Sequence, residues 1–335
     1  MNYCCEFLLH EIAFYKNTIR PCCSFSIEGD ITPFVNNYNG EIDKIQEYFS
    51  KRDAFIEKTK QNIALPCFNN CTIFESPRNS DYSTALTNII ISNRTKCSCN
   101  CIYCEQAAFG ENEEFKKQMN QRKPYDIKPI LEYLKNNNYI APNCRFLICG
   151  GECSEYPEEE LKWLVYFILF HKGHIMFLSS GLNYSKEIEC ALKTSDSVLK
   201  ISVDSGTKET YEKIKRIKAY DRVWNNIKRY ISAIEEYDKG RVDLKYILIP
   251  GVNDNEEEID AFLEKCTQVN CKSIVLDVEH RWLSQNKSNL ENFVNIKHCL
   301  NYFFRNSQKK QIFVSIEGVE EPFLWSFVDK EFNYK

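Results

Sequence analysis

Three cysteines in the segment KCSCNCIYC, residues 96–104, have the types and the spacing to hold a metal cluster. Cys97, Cys101 and Cys104 form a C-x3-C-x2-C pattern directly after the apolar run TNIIIS, residues 87–92. A four-iron cluster is held by cysteine thiolates, so three thiolates on one loop leave one iron open to another ligand. A further thiol in the loop, Cys99, is expected to point away from the iron. The spacing therefore predicts a cluster with one reactive iron.

Two other roles are open to these thiols, because thiolates also bind zinc and cysteine can pack as a small hydrophobe. Structural zinc sites combine such ligands with a second cysteine or histidine pair, and no such pair follows Cys104 closely. We therefore favour the iron–sulfur interpretation.

The loop resembles the cluster-binding signature of the radical S-adenosylmethionine (radical SAM) enzymes, in which an aromatic residue, here Tyr103, precedes the third cysteine. The resemblance implies that S-adenosylmethionine binds the open iron of a 4Fe–4S cluster. It also implies that electron transfer from the reduced cluster cleaves the cofactor to a 5′-deoxyadenosyl radical. An electron donor such as flavodoxin or ferredoxin is implied as a partner.

The elements that must position this loop alternate between short apolar runs and helical patterns, which is typical of βα units. Helices are predicted over Leu161–Phe170, along an apolar stripe of Val223, Ile227, Tyr230, Ile231 and Ile234, and from Asp254, where a glutamate run follows a capping residue. Six strands are predicted, at residues 87–92, 145–149, 174–179, 197–203, 242–249 and 272–278. The predicted fold class is α/β, a partial (β/α)6 TIM-type barrel with a small cysteine-bearing N-terminal accessory region.

Each predicted strand ends in a polar or glycine-rich turn, which is where parallel α/β folds bind their ligands. In the radical SAM enzymes that these turns resemble, the glycine pair of a GGE motif lets the backbone approach the methionine amino group. Other turns in that family contact the ribose, carboxylate and adenine of the cofactor. The resemblance implies cofactor contacts from Tyr103, Gly150, Gly151, Glu152, Ser180, Ser202, Asp204 and Asn253. For Asp204 and Asn253, ordinary turn and capping chemistry is the alternative.

Six cysteines precede the predicted barrel, and four of them could close a second cluster. The stretch AFYKNTIRPCC, residues 13–23, predicts a hairpin that places Cys22 or Cys23 beside Cys4 or Cys5, and PCFNNC, residues 66–71, adds two thiols. The arrangement resembles the SPASM-like accessory domain of many radical SAM enzymes, although that domain normally follows the barrel and has a longer cysteine string. A zinc site and unligated buried thiols are the alternatives. The predicted ligands of this auxiliary cluster are Cys5, Cys22, Cys67 and Cys71.

Composition disfavours several other classes of protein. A formal net charge of −4 and the lack of a basic stripe disfavour nucleic-acid binding. The longest apolar block, Leu161–Phe170, is too short to span a bilayer, so no membrane partner is expected. The 17 cysteines occur in a long chain that lacks a secretory start, so we expect a reducing cytoplasm rather than a disulfide framework.

The sequence thus predicts an enzyme that generates a radical from S-adenosylmethionine and abstracts hydrogen from a substrate, with peptide or protein modification as the favoured outcome. Radical modification of a sugar or other small molecule, and a non-catalytic iron–sulfur sensor or scaffold, are the alternatives. Cys153 and His280 are candidate catalytic residues, with packing or a structural role as the alternative for each. The predicted ranges are an accessory region at 1–84, a core barrel at 85–285 and a helix and edge-strand extension at 286–335.

Overall fold

Strands and helices largely alternate from residue 86 onward in the computed structural model of the protein. It describes residues 6–15, 17–21, 35–61, 85–104, 124–234, 241–318 and 321–332. The described residues belong to two compact units. Unit 1 contains those up to residue 96 and those from 124 to 176, and unit 2 contains residues 97–104 and those from 177 onward.

Unit 1 is built on a mixed sheet in the order β5–β4–β1–β2–β3. Strands β1, β4 and β5 are parallel, whereas β2 is antiparallel to both of its neighbours, β1 and β3. The strands are β1 (Glu11–Tyr15), β2 (Thr18–Arg20), β3 (Val35–Asn36), β4 (Leu86–Ser92) and β5 (Ile140–Ile148). The helices are α1 (Glu6–His10), α2 (Ile42–Lys60), α3 (Lys128–Asn136) and α4 (Glu158–Phe170). Strand β6 (His174–Ser179) contains the boundary between the units.

Unit 2 is built on a parallel sheet in the order β7–β8–β9–β10. Its strands are β7 (Val198–Ser202), β8 (Arg241–Leu248), β9 (Ser273–Val278) and β10 (Phe313–Ile316). The helices are α5 (Lys186–Thr194), α6 (Lys208–Lys215), α7 (Tyr220–Ile234), α8 (Glu256–Gln268), α9 (His280–Asn286), α10 (Val294–Lys309) and α11 (Glu321–Trp325).

The two faces of the unit 2 sheet differ in chemistry because side chains alternate along each strand. On one face, Tyr246 of β8 packs against Phe262 of α8 and Phe303 of α10, with ring centroids 4.9 Å and 4.8 Å away. The opposite face carries charged side chains, namely Lys200, Asp243, Lys245 and Asp277. This sheet therefore has an apolar face that forms the core and a polar face.

The predicted α/β class is confirmed, and β4 to β9 correspond to the six predicted strands. Strand β5 begins earlier than predicted, at Ile140, and the predicted hairpin is formed by β1 and β2. The start of α8 differs in one detail: Asn255, rather than Asp254, caps the helix by accepting from the amide of Glu258 at 3.0 Å. Among the described residues, no helix is both long and apolar enough to cross a bilayer.

Candidate functional site

The three cysteines predicted to bind the cluster lie together on the first segment of unit 2. Cys97, Cys101 and Cys104 form no disulfide, and each residue is partly exposed. The amide of Cys104 donates a hydrogen bond to the carbonyl oxygen of Cys101 at 3.2 Å, which closes a turn between them. The last two cysteines of the motif are therefore held in a defined turn.

The extra thiol, Cys99, is not isolated from the predicted ligands. The sequence suggests that it points away from the iron, but its thiol hydrogen-bonds to those of Cys97 and Cys101. The hydrogen bond from Cys101 lowers the pKa of Cys99, but the hydrogen bond to Cys97 and burial raise it by more. The pKa of Cys99 is therefore raised to about 11. The bond to Cys99, together with burial, also raises the pKa of Cys101. The Cys99 thiol thus links two of the predicted ligands, Cys97 and Cys101.

The three cysteines have the right ligand chemistry for an iron–sulfur cluster, but their side chains are not already arranged around one metal position. In the described part of the chain, no three cysteine, histidine, aspartate or glutamate side chains converge closely enough to hold a metal ion. Thiols of partly exposed cysteines can change rotamer, and three of them on one loop are the donors that a four-iron cluster requires.

The segment between the cysteines is fastened to the end of helix α6. The amide of Asn100 donates to the carbonyl oxygen of Lys215 at 3.1 Å, and the amide of Ile102 donates to that of Ile214 at 3.0 Å. The Ile102 carbonyl oxygen in turn accepts from Nη2 of Arg281 at 2.8 Å. These bonds flank Cys101 on both sides, so its backbone position is tied to α6.

Tyr103, the aromatic residue of the motif, takes part in a buried hydrogen-bonded triad. Its hydroxyl donates to Oδ2 of Asp204 at 2.6 Å, and Nζ of Lys215 donates both to that hydroxyl, at 2.7 Å, and to Asp204 Oδ2, at 2.5 Å. Burial lowers the pKa of Lys215, but Asp204 and Tyr103 raise it by more, so its pKa lies well above the usual lysine range. The lysine therefore keeps its charge inside the protein.

Asp204 and Asn253, two predicted cofactor contacts, are buried, and both bond to Ile247 of β8. The other carboxylate oxygen of Asp204, Oδ1, accepts from the amide of Ile247 at 2.8 Å. Nδ2 of Asn253 donates to the carbonyl oxygens of Asp204 and Ile247, both at 2.8 Å, and its Oδ1 accepts from the amide of Ile249 at 2.7 Å. Both side chains thus join the ends of β7 and β8.

The GGE turn lies in unit 1, where both glycines have positive φ, 82° at Gly150 and 64° at Gly151. A Cβ at Gly150 would lie 2.8 Å from the carbonyl oxygen of Arg94, and one at Gly151 would lie 2.9 Å from the amide nitrogen of Lys96. The amide of Glu152 donates to the Lys96 carbonyl oxygen at 2.8 Å. The turn is therefore packed against the residues that lead from β4 towards the cysteines.

Glu152 and Cys153 face their own turn in unit 1. The Glu152 carboxylate is buried and accepts from the amide and the hydroxyl of Ser154, at 3.1 and 2.7 Å. The Cys153 thiol is buried and donates to the same carboxylate at 3.9 Å.

The remaining predicted contacts that the structure describes lie in unit 2. The hydroxyl of Ser180 accepts from the amide of Leu182 at 3.4 Å, and Ser202 ends β7 opposite Lys245 of β8. His280 hydrogen-bonds through Nε2 to Oδ2 of Asp277 at 3.2 Å. The predicted auxiliary ligands lie outside the described residues; they are Cys5, Cys22, Cys67 and Cys71.

Sequence reasoning missed Lys215, although the sequence contains a signal for it. Tyr211, Ile214 and Lys215 have the i, i+3, i+4 spacing of one helix face, and all three are buried. A lysine on an apolar stripe needs a buried acceptor, which Asp204 provides. The anchoring role of Arg281 has no comparable signal, because it depends on a contact between residues 179 positions apart.

Comparison with known proteins identifies the family. Residues 94–263 match the Radical SAM superfamily, which is slightly more than half of the chain. The chain belongs to the radical SAM superfamily. Membership implies a 4Fe–4S cluster and S-adenosylmethionine as cofactors, and the matched range begins just before the cysteine motif.

Two curated relatives of this radical SAM chain come from Helicobacter pylori strains J99 and 26695, and both are described as "UPF0026 protein". They are 26% and 27% identical to it over 195 residues, which are 56% of this chain and 60% of each relative. The chain thus spans about three fifths of the length of these relatives.

Solved structures share the fold at low sequence identity. Streptococcus suis SuiB bound to its precursor peptide SuiA matches with a TM-score of 0.51 and 14% identity, over 88% of this chain and 58% of SuiB. Native anSMEcpe with bound AdoMet and Kp18Cys peptide matches with a TM-score of 0.50 and 13% identity, over 68% of this chain and 63% of that protein. These likenesses agree with the predicted (β/α)6 partial-barrel class.

Proposed function

We propose that this protein is a radical SAM enzyme that reductively cleaves S-adenosylmethionine and abstracts hydrogen from a substrate. One observation carries the proposal: the loop is anchored to α6 by backbone hydrogen bonds on either side of Cys101. The loop carries three cysteines that form no disulfide, Cys97, Cys101 and Cys104. An anchored loop with three donors is what a cluster with one open iron requires.

In this proposal the three cysteines hold the cluster. The cluster held there would supply the electron for reductive cleavage of S-adenosylmethionine, and the cleaved cofactor would supply the 5′-deoxyadenosyl radical. The residues proposed to line the cofactor are Tyr103, Gly150, Gly151, Glu152, Ser180, Ser202, Asp204 and Asn253. Asp204 and Asn253 would act indirectly, because their polar side-chain atoms already bond to neighbouring residues.

A peptide or protein is the proposed substrate class. Support comes from the fold neighbours, since SuiB has been solved with its precursor peptide and anSMEcpe with the Kp18Cys peptide. The polar face of the unit 2 sheet, with Lys245 and Asp277, also suits a polar substrate better than a hydrocarbon. A flavodoxin or ferredoxin is the proposed electron donor.

The auxiliary cluster also belongs to the proposal. The proposed ligands, Cys5, Cys22, Cys67 and Cys71, fall within the proposed accessory region at residues 1–84, ahead of the core at 85–285 and the extension at 286–335. Four cysteine ligands would leave no open iron, so this cluster would transfer electrons or anchor substrate. Cys153 and His280 are kept as candidate catalytic residues.

The test is anaerobic reconstitution of the full chain, followed by iron and sulfide analysis and electron paramagnetic resonance with and without S-adenosylmethionine. We expect about eight irons in the wild type and about four in the triple variant Cys97→Ala/Cys101→Ala/Cys104→Ala. S-adenosylmethionine should perturb the spectrum of the wild type only, and dithionite-reduced wild type should release 5′-deoxyadenosine.

Cys190→Ala is the matched control, because Cys190 is an exposed cysteine that the proposal does not use. It should behave as wild type in every assay. An iron content that is the same in the triple variant and the wild type would refute the proposal. A wild type with about four irons, falling to none in the triple variant, would remove only the auxiliary cluster.

A further inference from the structure

The ion pair of Lys215 and Asp204 is one of the most deeply buried polar contacts in unit 2. The two side chains are 1% and 0% exposed. Removing two charges from water is unfavourable unless further hydrogen bonds compensate for it. Here Asp204 accepts from three donors, and Lys215 donates to two acceptors. The pair is therefore a buried charge pair compensated by several hydrogen bonds, next to the cysteine loop.

Lys215 reaches that loop by two independent routes. Its backbone carbonyl oxygen accepts from the amide of Asn100 at 3.1 Å, and its Nζ donates to the hydroxyl of Tyr103 at 2.7 Å while lying 5.1 Å from the centre of the Tyr103 ring. Asn100 and Tyr103 lie on either side of Cys101 in the sequence. A single residue thus fixes the loop through its main chain before Cys101 and through its side chain after it.

We infer that Lys215 is a positioning residue for the cluster-binding loop and that its buried ammonium group, the positive end of an ion pair with Asp204, contributes positive charge at the Tyr103 side of that loop. This inference rests on the proposed function, because the charge matters to the chemistry only if the loop holds a cluster. The potential of an iron–sulfur cluster depends on the net charge around it, and a nearby cation favours the reduced, more negative state. Removing Lys215 should therefore loosen the loop and lower the reduction potential.

The loosening can be measured without any cofactor, by hydrogen–deuterium exchange of the full-length apoprotein. In Lys215→Met we expect the amides of the segment 98–104 to exchange at least about tenfold faster than in wild type. Lys200→Met is the matched control, since Lys200 is also a buried lysine with a carboxylate partner, Glu317, in the same unit. It should leave exchange in the segment 98–104 unchanged.

A milder variant covers the case in which Lys215→Met does not fold. Tyr103→Phe removes one hydroxyl and leaves the Lys215–Asp204 pair in place, so the core keeps its compensated charges. Exchange of the segment 98–104 should still accelerate, by a smaller factor. Unchanged exchange in Tyr103→Phe and in any Lys215→Met protein that folds would overturn the positioning role.

The electrostatic part is tested by redox titration of the reconstituted proteins, followed by electron paramagnetic resonance. The potential of the cysteine-loop cluster should move to a more negative value in Lys215→Met and stay close to wild type in Lys215→Arg, which keeps the charge. Equal potentials in all three proteins would overturn the electrostatic role. Should the wild type bind no cluster at the loop, the proposed function and the electrostatic role both fail, while the exchange experiment still decides whether Lys215 positions the loop.

Discussion

At the scale of single residues, the GGE turn has a structural requirement that its family resemblance does not suggest. The resemblance explains Gly150 and Gly151 by the approach of a cofactor to the backbone. In the structure, the space that a Cβ would need at Gly151 is filled by backbone atoms of Thr95 and Lys96, which cannot move aside as a flexible side chain could. The glycines are therefore needed for the fold of unit 1 before any ligand is considered.

Gly151→Ala should consequently destabilise the protein by more than backbone strain alone. The positive φ of 64° costs a side-chain-bearing residue about 1–2 kcal/mol, and the clash should add at least about 2 kcal/mol. Gly251→Ala is the control, because Gly251 has a similar φ of 75° but nothing within 4 Å of its would-be Cβ. Equilibrium urea unfolding of the two variants measures the difference, and equal losses would contradict the packing argument.

Asp277 is a second residue whose role is set by its neighbours. Its Oδ2 accepts from Nζ of Lys245 at 2.7 Å and from His280 at 3.2 Å, and its Oδ1 accepts from the amide of Val278 at 2.9 Å. Burial raises the pKa of this carboxyl, but the bonds and charges of His280 and Lys245 lower it by more, so the pKa lies below the ordinary value. The folded protein thus favours the charged form.

This depressed pKa predicts a pH dependence of stability with a definite sign. The contribution of Asp277 is present above the ordinary aspartate pKa of about 4 and is lost as pH falls through the lower folded value. Between about pH 5 and pH 3, the thermal midpoint of the wild type should fall more steeply than that of Asp277→Asn. Parallel slopes in scanning calorimetry would show that the carboxylate is not stabilised by its neighbours.

At the scale of elements, the carboxylate of Glu258 connects helix α8 to the start of α6. It accepts from the amides of Gly206 and Thr207 at 2.9 and 3.2 Å and from the hydroxyl of Thr210 at 2.7 Å. A negative charge at a helix N-terminus is favourable, because unpaired amides and the helix dipole point towards it. Since α6 ends at Lys215, this contact fixes one end of the helix to which the cysteine loop is attached.

Glu258→Ala should therefore destabilise unit 2 by about 2–3 kcal/mol, because charge-assisted hydrogen bonds are lost and buried donors are left unpaired. Glu257→Ala, one residue earlier on the exposed face of α8, should change the free energy of unfolding by less than about 0.5 kcal/mol. Chemical denaturation of both variants provides the comparison. A similar, small effect in both would mean that α6 does not depend on this contact.

The elements themselves were predictable because hydrophobic periodicity is a local signal. The stripe of α7 shows this, since Val223, Ile227, Tyr230 and Ile231 are all buried as predicted. Contacts such as Glu258 to α6 were not predictable, because nothing in the residues near position 258 indicates which distant amides they will meet. The sequence therefore indicated six strands, some of the helices and the cysteine loop, but not the internal bonds that hold that loop.

At the scale of the whole molecule, the segment predicted as a C-terminal extension is part of the core of unit 2. Phe303 of α10 is fully buried and its ring packs against Tyr246 and Phe262, and β10 pairs in parallel with β9. The edge strand and the helix were both indicated by the sequence. The extent of their burial depends on long-range packing, which periodicity alone does not reveal.

Phe303→Ala should cost about 3–5 kcal/mol, as expected for a large-to-small change in a packed core. Phe313→Ala, in β10, is the control within the same segment, because Phe313 is 60% exposed and should contribute less than about 0.5 kcal/mol. Urea denaturation followed by tryptophan fluorescence would distinguish them. A loss below about 1 kcal/mol for Phe303→Ala would mean that the segment is an appendage and not core.

The hydrogen bonds of Asn100 and Ile102 to consecutive carbonyl oxygens, those of Lys215 and Ile214, have a consequence for protein engineering. Inserting or deleting a residue between those two amides would pull one of them off its acceptor, so the last turn of α6 fixes the length of the segment that contains Cys101. A graft of this motif into another scaffold must therefore include two pieces of chain, the cysteine segment and the end of α6 whose carbonyl oxygens accept its hydrogen bonds.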